Sequence, residues 1–153
     1  MASSTKKWKF DNIDNNTGFF DASKIVLSER HKDVLQKIDD YFKNDSVENL
    51  HELRIAIRRF RYVLEIFYIC IEAKLFKKVY NTVKNLQDLI GEGRDLDVLE
   101  IQLGNIEKES SASFPKYLYK NIADNKTAVR QKIKLELINF ISDKNITKIF
   151  SKE

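Results

Sequence analysis

The stretch LHELRIAIRRFRY, residues 50–62, brings His51, Arg54, Arg58, Arg59 and Arg61 into one short apolar run. An α-helix turns about 100° per residue, so His51, Arg54, Arg58 and Arg61 fall within an arc of roughly 80°, with Glu65 in the same arc one turn later. Leu53, Ile57, Phe60, Leu64 and Phe67 take the opposite side as the core face. Like charges three and four residues apart repel by a few tenths of a kcal/mol per pair, and only Glu52 and Glu65 lie close enough in sequence to offset them. An extended polyanion would relieve the repulsion, because each guanidinium can hold phosphate oxygens through two parallel hydrogen bonds. His51 could donate a neutral hydrogen bond or add charge when protonated. The alternative is a solvated basic face, or arginines paired with acids elsewhere in the fold.

Other chemistry is sparse. His31 and His51 are the only histidines and lack metal-ligand spacing. Cys70 is the single cysteine, which excludes an intrachain disulfide and a multi-cysteine metal site, and it reads as a small core residue. "GEGRD" at 91–95 follows a helical pattern rather than a strand, so it reads as a helix-to-helix turn and not as a phosphate loop. Asp95 and Asp97 could bind a cation but are better explained as an N-cap and a favourable charge near a helix N-terminus. No catalytic residues, metal ligands or cofactor are expected, and the chain does not read as an enzyme.

These residues must be positioned by helices. At 153 residues, with 42% hydrophobic and 33% charged side chains, the chain is long enough for one globular domain. Four glycines and one proline leave few breaks. Residues 1–20 read as an irregular arm whose Trp8, Phe10, Phe19 and Phe20 dock on the domain or on a second chain. Residues 21–150 read as a single domain. Ile25, Leu27, Val34, Leu35, Ile38 and Phe42 mark the first helix. Asp45 with Glu48 predicts a capping box for the second, running to about Glu72. Leu75, Phe76, Val79, Val83, Leu86 and Ile90 mark the third, with Gly91 and Gly93 as its stop. Asp95 would start a fourth, and a fifth spans about 114–142, with Pro115 in its first turn. The expected fold is all-α, an antiparallel bundle of about five helices.

Further cations share helix faces: Lys77 and Lys84 on the third helix, and Lys116, Lys120, Lys126, Arg130 and Lys134 on the last. Several helices could thus contribute to one basic surface. The net charge of +4 fits anionic partners without choosing among them. "MASSTKKWKF" lacks the apolar segment of a signal peptide, and no stretch is long and uncharged enough to span a bilayer, so no membrane partner and a cytoplasmic location are expected.

Two segments, "LHELRIAIRRFRYVLEIF" and "LQDLIGEGRDLDVLEIQL", together resemble the hallmarks of the CHAD family, the conserved histidine α-helical domains. The resemblance covers about residues 47–103. It implies a helical domain that binds inorganic polyphosphate through a basic channel, often without catalysis. Carried over residue by residue, it places phosphate contacts on His51, Arg54, Arg58 and Arg61. Arg59, off the stripe, is a weaker candidate, and Arg94 either contacts phosphate or fastens the turn. Lys84, Lys120 and Arg130 complete the expected contact set. Family members commonly carry two related helical halves around a shared channel. This chain carries one copy of the motif and resembles one half or slightly more, so a homodimer that faces two arginine stripes is the expected remedy. The resemblance also implies a location at polyphosphate granules where these form. The alternative function is a helical protein binding single-stranded nucleic acid, for which "RRFRY" mixes aromatic and basic residues; it is less favoured, because Phe60 falls on the core face. A scaffold docking acidic protein segments ranks third.

Overall fold

The computed structural model describes residues 10–151. Four long helices, α1 (Phe19–Lys43), α2 (Val47–Ile66), α3 (Ala73–Ser110) and α4 (Lys116–Ser142), are followed by a short α5 (Lys144–Lys148). A 3-10 turn, Tyr68–Cys70, joins α2 to α3. Successive long helices pack against one another, and α1 meets α4 to close the bundle. The described residues form an all-α fold with no strand.

Helix periodicity explains the core. Leu50, Leu53, Ile57, Phe60 and Leu64 of α2 meet Val79, Val83, Leu86 and Ile90 of α3, all buried. Such side chains each contribute about 2 kcal/mol through burial. On α1, Leu27, Val34 and Ile38 point inward as expected, but Tyr41 is buried and Phe42 is exposed. Phe19 and Phe20 belong to α1 rather than to an arm. Phe10 packs against the core, its ring 5.1 Å from the Arg30 guanidinium. Trp8 lies outside the described residues.

Three boundaries differ from expectation. Ser46, not Asp45, caps α2, its hydroxyl accepting from the Asn49 amide at 3.1 Å. Asp45 is instead drawn to Lys134 of α4, Nζ to Oδ2 2.8 Å. The second helix stops at Ile66, and the Glu72 carboxylate caps α3 through the amides of Lys74 and Leu75.

The largest correction is that Gly91 and Gly93 do not end a helix. α3 runs unbroken through both, and neither has positive φ. Gly93 is there for closeness: a Cβ on it would lie 2.9 Å from Ile133 Cδ1 and 3.3 Å from Leu50 Cδ2. The expected third and fourth helices are therefore one, and Asp95 and Asp97 sit mid-helix rather than at a start. Cys70 is half-buried in the 3-10 turn rather than in a helix.

His31, midway along α1, is buried where α1, α2, α4 and Phe150 converge. Its ring lies 5.9 Å from Phe60, 6.0 Å from Phe140 and 5.3 Å from Phe150. Burial pushes its imidazole below the ordinary value of 6.5. The unfolded chain therefore binds this proton more readily than the fold does. Stability from this site is full above about pH 6.5 and falls as the pH drops through the lowered folded value. Urea midpoints should drop between about pH 7.5 and about pH 5. His31→Leu should show a flatter dependence over that window, and parallel curves for both proteins would refute this role.

Candidate basic groove

The α2 stripe is not on an open outer face. His51, Arg54, Arg58 and Arg61 are half-buried on the shoulder of α2, beside the core. Two contacts fix how these antiparallel helices align. At one end the Tyr80 hydroxyl of α3 donates to Glu65 Oε1 of α2 at 2.7 Å. At the other, Leu50 lies against Gly93. Moving one residue back along α2 for each residue forward along α3 sets Arg61 level with Lys84, Arg58 with Gln87, Arg54 with Gly91 and His51 with Arg94. Because α3 is continuous, Tyr80, Lys84, Gln87, Gly91 and Arg94 recur at three- and four-residue spacing along one face. The two helices thus border a groove, with the α2 cations along one wall and Lys84 and Arg94 on the other. Gly91 leaves its middle open, since a Cβ there would meet nothing within 4 Å.

The groove's polar groups are incompletely matched. Arg54, Arg58 and Arg94 have no carboxylate partner among the described residues, whereas Arg61 Nε sits 3.2 Å from Glu65 Oε1. His51 Nδ1, Gln87 Oε1 and Arg94 Nη1 are buried atoms without a hydrogen-bond partner. Leaving such an atom unmatched costs about 1–3 kcal/mol. Their position along one groove, not their number, is informative: each would be satisfied by a ligand lying along it. His51 donates from Nδ1 in one tautomer, and the Gln87 amide presents its NH2 when turned over. Glu65 also raises the Tyr80 phenol above its ordinary value, by accepting its hydrogen bond.

The remaining expected contacts lie elsewhere. Arg59 faces the groove between α1 and α2, with Asp33, Lys37 and Glu52. Lys120 is exposed near the start of α4. It precedes Lys126, which pairs with Asp97 and Glu100 of α3, so it lies beyond the N-terminal end of α2. Arg130 is used inside the fold: its Nη2 is 3.1 Å from Asp97 Oδ1, and its Nη1 donates to the Asp45 carbonyl. The cations of α4 that face the bundle are therefore matched by acids, and they do not extend the α2 stripe. Tyr80 and Gln87 were missed from the sequence. Their spacing with Lys84 and Arg94 is the signal, and reading a helix stop at Gly91 hid it. Among the described residues no group of His, Cys, Asp or Glu side chains is placed to hold a metal ion. No described helix is long and apolar enough to cross a membrane.

The family model described as the CHAD domain matches residues 6–104, which include both walls of the groove. No curated protein and no solved structure matches the chain.

Asp97 is 1% exposed and lies between Lys126 Nζ at 3.2 Å and Arg130 Nη2 at 3.1 Å. Removing one member of a buried ion cluster leaves the others without compensation, at a cost of about 3 kcal/mol. Asp97→Asn should lower unfolding stability by about that amount in urea titration. A change below about 0.5 kcal/mol would show that the cluster contributes little.

Proposed function

This chain belongs to the CHAD domain family, and we propose that it binds inorganic polyphosphate in the α2/α3 groove without acting on it chemically. The CHAD domain is associated with polyphosphate binding in general. The observation that carries the reading to this groove is the row of half-buried guanidiniums, Arg54, Arg58 and Arg94, without carboxylate partners, beside the unmatched atoms of His51 and Gln87. Each arginine would hold phosphate oxygens from a wall of the groove. His51 and Gln87 would donate between them, and Lys84 would add charge at the rim. The stretch from His51 to Arg61 is about 15 Å long at 1.5 Å per residue, which suits an extended chain better than a compact anion. Arg59, Lys120 and Arg130 are left out of this reading because their side chains lie outside the groove.

A thin, base-free polymer can enter between two helices where a duplex cannot. Single-stranded nucleic acid is the second reading, favoured by Tyr62, which is 48% exposed with its ring 5.8 Å from the Arg61 guanidinium. Stacking on that ring would add about 1–3 kcal/mol per base. The polyphosphate-bound protein would act in the cytoplasm, at polyphosphate granules where these form.

We also propose that two copies pair on the polymer. The exposed Tyr62, Ile66, Tyr68 and Ile69 border the stripe's C-terminal end. Burying them against a second copy would bring two grooves towards one chain, in the two-fold arrangement commonest among oligomers. Light scattering with long-chain polyphosphate should give a mass of two protein chains per complex at low polymer occupancy. One protein chain per polymer at every protein ratio would rule this pairing out.

The direct test is binding to long-chain polyphosphate at several salt concentrations, with single-stranded nucleic acid as competitor. Wild-type affinity should fall with salt by about 0.7 log units per log unit for each phosphate neutralised, by analogy with single strands. Arg54→Ala/Arg58→Ala, confirmed folded by its helical signal, should bind on the order of 100-fold more weakly and with a shallower slope. Equal binding by both proteins would refute the site. Full displacement by nucleic acid at matched phosphate concentration would favour the second reading.

A further inference from the structure

The groove's C-terminal end already contains an anion of the protein's own. Glu65 Oε1 lies 3.2 Å from Arg61 Nε and accepts the Tyr80 hydroxyl at 2.7 Å. Both contacts hold the carboxylate against the last arginine of the row, level with Lys84 across the groove. Arg58 and Arg54, one and two turns earlier, have no such partner among the described residues. A phosphate arriving at Arg61 must therefore compete with a tethered carboxylate that is present at high local concentration, and must approach that negative charge. The same is not asked of it at Arg54 or Arg58.

We propose that Glu65, held by Tyr80, is an internal competitor that withholds Arg61 and limits affinity for the polyanion. The inference rests on the polyphosphate reading of the groove. It makes the row uneven: Arg54, Arg58 and Arg94 are open to the polymer, whereas Arg61 is held back by Glu65. It also makes the stripe weaker than its arginine content implies, which keeps the polymer exchangeable. Tyr80 is a positioning residue in this account, because it acts on the ligand only through the carboxylate it holds.

Glu65→Gln keeps the side chain's size and removes its charge. Long-chain polyphosphate should bind this variant about fivefold to tenfold more tightly than wild type. Its salt dependence should steepen by about 0.7 log units, because Arg61 now engages one more phosphate. Two controls separate this from a general change in net charge. Glu52→Gln alters charge equally but lies on the α1 side of α2, and should change affinity by less than about twofold. In an Arg61→Ala background, Glu65→Gln should likewise gain less than about twofold. Unchanged or weaker binding by Glu65→Gln overturns the proposal, as does an equal gain in Glu52→Gln or in the Arg61→Ala background. If Arg54→Ala/Arg58→Ala has lost binding in the same assay, the groove assignment survives that failure. If neither wild type nor Glu65→Gln binds polyphosphate, both readings fall.

Discussion

The close approach of three helices at Gly93, locked one turn later by Asp97, is the constraint on which the rest of the molecule depends. A glycine inside a helix costs about 1 kcal/mol relative to alanine. Here that cost is offset by core contacts that a Cβ would obstruct, with Leu50 on one side and Ile133 and Val129 on the other. Asp97 then sits on the same core-facing side of α3, buried between two cations of α4. Arg130 reaches from that cluster to the Asp45 carbonyl, just ahead of the Ser46 cap. One assembly thus sets the spacing of α2, α3 and α4 and fixes where α2 begins. Leu50 is the neighbour of His51, so the same contact determines how far the basic row stands from α3.

This arrangement divides the protein's cations into two kinds. Those on α4 near Asp97 and Asp45 are matched by carboxylates and hold helices together. Those on the shoulder of α2 run beside Lys84, Gln87 and Arg94 of α3, and among the described residues the one carboxylate paired with the row is Glu65, which Tyr80 holds. Repulsion within the α2 row is small, a few tenths of a kcal/mol per pair, and burial of the apolar face of the same helix exceeds it many times over. The fold can therefore carry an uncompensated row without losing α2. What it cannot remove by packing alone are the unmatched atoms of His51, Gln87 and Arg94.

Much of this was legible in the sequence, and the exceptions share a cause. The apolar rhythm of α2 and the first half of α3 needs only local spacing, so Leu53, Ile57, Phe60, Val79, Val83 and Ile90 were placed correctly. The stripe of His51, Arg54, Arg58 and Arg61 was legible for the same reason. Gly91 and Gly93 misled because a helix stop and a close helix crossing call for the same residue, and only the neighbours Leu50 and Ile133 distinguish them. Asp45 reads as a cap and Asp97 as a charge near a helix N-terminus because their partners, Lys134, Lys126 and Arg130, are distant in sequence. A helix stop at Gly91 would put Arg94 on a separate element, and only the unbroken α3 aligns it with Lys84 and Gln87.

The half-burial of the row bears on how it can bind. An arginine on a fully exposed face must give up side-chain freedom when it grips an anion, at about 0.5–1.5 kcal/mol for each ordered side chain. On the shoulder of α2 these arginines are already half-buried, so part of that loss has occurred on folding. Partial exclusion of water also strengthens each charge contact relative to an open surface. A compact anion would use one or two of these positions and leave the others mutually repelling. A chain of repeating phosphates would meet Arg54, Arg58 and Arg94 at successive turns and relieve the small repulsion between them. The length of the row is thus better matched by a polymer than by a compact anion.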